Sequence, residues 1–265
     1  MARMQFGVFV PPHHVPTNYN PTYALQRDVD LIKLVDNMGF DEAWFGEHHS
    51  GGVELISDPM MFIAHVAAQT KHIRLGTGVV SLPYHNPLWI ADRLSLLDHL
   101  TRGRVMLGVG PGALATDAAM IGIAPEEQRE ALEFDMDVLM HLLTSDDPIS
   151  VETSRYKLVD ARMQLDFYQD PHPPIVAAAV VSPSGPRLAG KHGIGLISVG
   201  ATMKAGVDVL AMHWDVVEQR AKEFGKQSDR DSWRVVGLMH LADSKEQALK
   251  DVSYGLREWC DYIQH

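Results

Sequence analysis

The sequence predicts an α/β protein built on a parallel sheet, and within that class a TIM (β/α)8 barrel. Three observations predict it. Near-continuous apolar runs of strand length alternate with amphipathic runs of helix length, the pattern of a parallel sheet covered on both faces. Several helix starts are spelled out by an Asn-Pro or Asp-Pro pair. Finally, successive strands end in glycine, histidine or carboxylate residues, where α/β enzymes present their chemistry. An open doubly wound sheet would gather such residues at one switch point. Here they follow the first four strands and the fifth, which favours the barrel.

The first strand is expected near Met4 to Val10. Asn20 then offers a side-chain acceptor at a helix N-cap, and Pro21 occupies the first helical position, where its missing N–H costs nothing. Leu25, Val29, Ile32 and Val35 recur at helical spacing until Gly39 stops the helix. A second strand, Glu42 to Gly46, ends abruptly in Glu47, His48 and His49. Asp58-Pro59 opens the second helix. The third strand is expected over Ile73 to Val80, and Asn86-Pro87 opens the third helix. The fourth strand, Val105 to Val109, runs into the GVGPG tip at Gly108 to Gly112. The polar, proline-rich stretch Ser145 to Pro174 breaks the alternation and is too long for an ordinary connection, so it reads as an insertion over the pocket. Strands follow at Ile175 to Ala179, Gly195 to Val199 and Arg234 to Leu241, and Ser244 with Gln247 gives a capping box to the last helix. Seven strands are legible and the eighth βα unit is missing. Residues 1–265 are expected to form a single barrel domain with its insertion at about 145–174.

Composition excludes several classes. The 265 residues are 46% hydrophobic, enough for a full core, and the formal net charge of -11 argues against a nucleic-acid partner. No run approaches the ~18 apolar residues of a membrane helix, and the first thirty residues hold Pro11, Pro12, histidines and charges instead of an apolar signal core. A cytoplasmic protein is expected. The lone Cys260 is expected to be a packing residue.

Glu47-His48-His49 and His13-His14 are poor metal sites, because neighbouring side chains on a strand end diverge, whereas zinc sites on helices place histidines at i and i+4. No metal is expected. GVGPG falls short of the dinucleotide fingerprint: its third glycine comes a residue early and Pro111 removes a backbone donor. Ser182, Ser184, Gly185 and Arg187 open a short helix whose N-terminus can hold a phosphate, although Ser182 also suits an ordinary N-cap. Phe9, Trp44, Leu82, Trp89, Met106, Leu114 and Met120 lie on or near the predicted tips and suit a small hydrophobic substrate, and each also suits the core.

FGVFV, GFDEAWFGEHHS, IRLGTGVVSLPYHNP, DHLTRGRVMLGVGPG and SPSGPRLAGKHGIGLIS, in this order and spacing, resemble the bacterial luciferase-like flavin-dependent monooxygenases, within them the limonene-monooxygenase-type group. The resemblance implies a barrel of the luciferase-like type that binds reduced FMN, with FAD admissible, at the carboxyl ends of the strands. It implies reaction with oxygen at flavin C4a, through a C4a hydroperoxide, and transfer of one oxygen atom to a small terpene, alkene, ketone or aldehyde. His48 then faces the flavin and oxygen site, its bland alternative being an anchor for its own loop. Gly78 and Val79 match a non-prolyl cis peptide under the ring, and Gly110 lies on the fourth tip. His85 is placed to contact flavin or substrate, or to brace the helix capped by Asn86. The luciferases proper carry an arginine at the position of Pro111 that holds the flavin phosphate, so the phosphate is expected on the Ser182–Arg187 segment here. NAD(P)H is implied as an indirect or transient electron donor through a flavin reductase, and a homodimer through the first helices. Two rivals remain at this point. One is hydride transfer by deazaflavin F420, for which Arg102, Arg104, Arg187 and Lys191 are the basic candidates near the mouth. The other is a non-catalytic flavin-binding subunit.

Overall fold

Burial on both faces dictates the parallel ladder. In the computed structural model, which describes residues 3–10, 14 and 20–264, the strands β1 (Gly7–Val10), β2 (Glu42–Phe45) and β3 (Arg74–Thr77) lie side by side in parallel. β4 (Val80–Ser81) resumes beside β5 (Val105–Gly110) after an interruption at Gly78-Val79, whose peptide bond is cis. The single third strand expected over Ile73 to Val80 is therefore two pieces. β6 (Ile149–Glu152) and β7 (Lys157–Ala161) form a separate antiparallel hairpin. The main path then continues through β8 (Ile175–Ala179), β9 (Gly195–Ser198) and β10 (Trp233–Val235), giving the order β1-β2-β3-β5-β8-β9-β10. The seven strands of this path correspond to the seven expected. The last is shorter than Arg234 to Leu241 because its neighbour β9 ends at Ser198; beyond it Leu238 N–H turns to the Thr202 hydroxyl at 3.0 Å.

The helices are α1 (Pro21–Asn37), α2 (Pro59–Ala67), α3 (Pro87–Thr101), α4 (Ala115–Ile121), α5 (Gln128–Thr144), α6 (Ser184–His192), α7 (Lys204–Val207), α8 (Leu210–Glu223), α9 (Lys245–Val252) and α10 (Leu256–Gln264). Asn20, Asp58 and Asn86 each accept a backbone N–H as N-caps, with proline just inside. One large apolar layer, with Ile32, Ile63, Leu94, Leu107 and Leu139, lies between sheet and helices. A smaller cluster of Trp44, Met106, Val176 and Ile197 fills the concave side. There Arg234 of β10 reaches across to Glu42 of β2 (2.8 and 3.0 Å) and lies 5.4 Å over the Trp44 ring, so side chains join the two flanks of the curled sheet.

The 145–174 segment is anchored chiefly to the helices beside the sheet. Buried Asp135 of α5 takes two hydrogen bonds from Arg155 and one from the Tyr156 hydroxyl, while Ser95 and His99 of α3 hold the carbonyls of Leu165 and Asp166. These bonds pin the hairpin and the chain after it along the α3–α5 flank, and its turn reaches a strand-tip loop at Pro83 through Arg155. Cys260, on α10, is exposed rather than buried in the core, which corrects its expected packing role.

Candidate active site

β2 is buried along its whole length and delivers Glu47, only 4% exposed, just past its end. One carboxylate oxygen accepts from His49 Nε2 (2.9 Å) and His85 Nε2 (2.8 Å), and the other accepts the Ser81 N–H (2.8 Å). Burial by itself would raise the carboxyl, but the bonds from His49, His85 and Ser81 outweigh it and hold Glu47 below its ordinary value. The same bond to Glu47 raises His49. His85 thus joins the loop after β4 to the tip of β2 while Asn86 separately caps α3.

The His48 ring lies between two carboxylates. Nδ1 lies 3.1 Å from Asp117 Oδ2 and Nε2 lies 3.1 Å from Glu54 Oε2. Asp117, in the first turn of α4 and 1% exposed, also accepts the His49 N–H (3.0 Å) and the Ser50 hydroxyl (2.6 Å). Burial raises its carboxyl, and the bonds from Ser50, His49 N and His48 more than reverse that, leaving it lowered. One carboxylate therefore ties the loop after β2 to the segment after β5.

Gly78 and Gly110 sit at neighbouring tips. A Cβ on Gly110 would come 2.7 Å from Val79, and one on Gly78 would come 2.8 Å from the Phe9 ring, so both glycines are demanded by close packing around the cis peptide. Thr77 Oγ1 bonds both N–H and C=O of Gly108, locking β3 to β5 just below. Gln128 donates to the Tyr84 hydroxyl (2.7 Å) and to Pro111 O (2.9 Å). Burial, with the charges of Asp117 and Glu47, pushes the Tyr84 phenol up to about 12, so it stays protonated beside them.

At the β8 tip, Ser182 and Ser184 bring their hydroxyls within 3.2 Å of each other where α6 begins, and the Ser182 hydroxyl also accepts the Ser184 N–H at 3.3 Å, as an N-cap would. Gly185 lies against Ala178 O, an approach that a side chain would block. The hydroxyls and backbone N–H groups suit a phosphate. Arg187 does not join them: its side chain lines a groove of about 290 Å³ on the outer helices, with Glu133, Val216, Gln219, Arg220 and Glu223. It lies on the flank of α6 that faces α5 and α8, which corrects its expected role. The other basic candidates are also committed elsewhere. Arg104 bonds Ala67 O, Thr70 and Ile73 O at the opposite end of the strands, Arg102 caps α3, and Lys191 pairs with Asp137.

The expected substrate residues separate. Phe9 and Trp44 belong to the concave-side cluster, where buried Trp44 donates to Glu42 (3.0 Å), whereas Leu82 is fully enclosed in the outer layer. Leu114 precedes α4 close to Gly51 and remains at the mouth. Met106 is interior, and Trp89 and Met120 are exposed on outer helices. Glu54 and Asp117 were missed: each is an isolated acid, and the only local signal was Asp117 in a helix's first turn. Among the described residues no three His, Cys, Asp or Glu side chains gather as a metal site, and no helix is long and apolar enough to cross a membrane. His13 lies outside the described residues, while His14 is buried against Asp28 (2.8 Å).

The profile of the luciferase-like monooxygenase family matches residues 4–264. The chain belongs to that family. It is 44% identical over 264 residues to limonene 1,2-monooxygenase of Rhodococcus erythropolis, covering 100% of this chain and 67% of that protein. It is also 44% identical to 4-hydroxyprotoasukamycin monooxygenase of Streptomyces nodosus subsp. asukaensis, covering 99% of this chain and 70% of that one. Among solved structures, the oxygenating constituent of 3,6-diketocamphane monooxygenase of Pseudomonas putida, a type II Baeyer-Villiger monooxygenase in complex with FMN, superposes with a TM-score of 0.83 at 23% identity, over 98% of this chain and 75% of that one. The chain is thus a luciferase-like, flavin-dependent monooxygenase.

Proposed function

We propose that this cytoplasmic luciferase-like monooxygenase uses reduced FMN and O2 to oxygenate a small, neutral, hydrophobic molecule of the terpene, alkene or cyclic ketone class. The observation that carries the reading is His48, held between two buried carboxylates at the same sheet edge as the side-chain-free tips Gly78 and Gly110. The residues suit the cofactor. Ser182, Ser184 and the N–H groups opening α6 would hold the phosphate without Arg187, and Gly78, Val79 and Gly110 would lie against the ring. When bound, the flavin supplies the reducing equivalents and the oxygen-activating carbon. This chain's residues orient the partners, exclude water and hold a proton at His48. His85 acts by holding Glu47 in place.

Electrons are supplied from NAD(P)H through a separate reductase, in keeping with the lack of a dinucleotide fingerprint at Gly108–Gly112. The longer charged tail of F420 is disfavoured, because none of Arg102, Arg104, Arg187 and Lys191 is directed to the mouth. Exposed Leu34, Met38, Met61, Leu96 and Leu100 on and beside α1 to α3 support a homodimer through those helices.

The test supplies reduced FMN anaerobically, then ¹⁸O2, with a panel of neutral terpenes and ketones. One ¹⁸O atom per product molecule is expected, with a loss of about a hundredfold on His48→Asn. Hydride transfer without label, or unchanged turnover in the variant, would remove the reading.

A further inference from the structure

We propose that Asp117 is a positioning residue for the reaction: it keeps a proton on Nδ1 of His48 and so reserves Nε2, on the Glu54 side, as the nitrogen that exchanges one. The inference rests on His48 being the working group at the mouth. Its physical basis is the division of labour between the two oxygens of Asp117. Oδ1 is committed to the His49 backbone N–H, which can only donate, and to the Ser50 hydroxyl. Oδ2 faces His48 Nδ1 at 3.1 Å. A carboxylate only accepts, so Nδ1 must donate. At the other side of the ring, Nε2 and Glu54 Oε2 meet at 3.1 Å with side chains 16% and 6% exposed. That approach of a ring nitrogen to a carboxylate oxygen does not by itself fix a proton on Nε2. The ring therefore has a fixed end and an exchanging end, and Asp117 decides which is which.

The same geometry makes Asp117→Asn a tautomer switch. The His49 N–H keeps Oδ1 as its acceptor, which turns the new NH2 group towards Nδ1 and drives the proton to Nε2. The sequence gives no hint of this pairing, since Asp117 and His48 are separated by 69 positions and meet only because the loops after β2 and β5 converge.

The experiment is two-bond ¹⁵N–¹H correlation spectroscopy on histidine-labelled protein, with His48 assigned by His48→Gln. Wild type is expected to show Nδ1 protonated, Asp117→Asn to show bare Nδ1 and protonated Nε2, and Ser50→Ala to keep the wild-type pattern. In steady state, Asp117→Asn should lower kcat about a hundredfold while the Kd for reduced FMN stays within about threefold. A neutral, Nε2-protonated His48 in wild type overturns the proposal, and that spectrum decides even if the variant does not fold. A switched tautomer with unchanged kcat overturns it as well. Wild type that transfers no oxygen from O2 but shows the fixed Nδ1–H fails the functional reading and leaves the Asp117–His48 assignment standing.

Discussion

The two ends of β2 carry the same residue type in opposite service. At its start Glu42 is buried against Arg234 of β10 and the Trp44 indole N–H; just past its end, five positions on, Glu47 is buried against His49 and His85. Each carboxylate takes one donor from beside it in the chain and one from a distant strand or loop. A guanidinium keeps its charge at any pH at which a protein stays folded, so the Glu42 end is a fixed brace across the concave side. An imidazole can change charge near neutrality, so the Glu47 end, where the carboxylate raises His49, is not a fixed brace. In a barrel, the amino edge of the strands serves stability and the carboxyl edge serves function, and one strand shows both.

The largest effect should come from breaking the brace. Arg234→Ala strands a buried carboxylate and should cost about 3–5 kcal/mol in chemical denaturation, whereas the apolar pair Glu42→Leu with Arg234→Met should restore most of it. The comparison predicts that Arg234→Ala leaves the His49 titration where it was; a shifted midpoint would mean that the two ends are coupled.

Glu47→Gln tests the other end. A stability loss of about 1–3 kcal/mol is expected at neutral pH, and the His49 midpoint, followed by NMR, should fall back towards the ordinary imidazole value. The loss should depend on pH. Glu47 is lowered in the folded state, so its contribution is present above the unfolded carboxyl pKa and disappears as pH falls through the folded one. His49 is raised, so its contribution is complete below the unfolded imidazole pKa and disappears as pH rises through its folded value. Wild type and Glu47→Gln should therefore differ most between those limits, converge as pH falls below them, and keep a smaller difference above them, where only the His49 part is lost. A pH-independent difference would make Glu47 a brace like Glu42.

The smallest effect is expected from Ser184→Ala at the start of α6. Loss of one hydroxyl should weaken FMN about three- to tenfold by fluorescence titration and leave both ends of β2 unchanged.

Much of this was legible because it is local. Asn20-Pro21, Asp58-Pro59 and Asn86-Pro87 mark their helices through a side-chain acceptor and a fixed φ, neither of which depends on distant partners. The apolar runs of β2, β5, β8 and β9 announce a sheet buried on both faces. Glu47, His48, His49, Gly78, His85 and Gly110 could be singled out because each follows or interrupts such a run. Arg187 illustrates the limit. It stands in the right segment, but its place in the first turn of α6 turns its side chain outwards to Glu133 and the α8 residues.

The sequence by itself determined the alternation of strands and helices and the family. Periodicity, caps and strand tips are properties of contiguous residues. Only the tertiary structure decided that Asp117 and Glu54 flank His48, that Glu47 gathers His49 and His85, and that Arg234 closes on Glu42 from 192 positions away. An isolated acid in a chain has no direction, and its partner is chosen by which loops the folded strands bring within about 3 Å of each other.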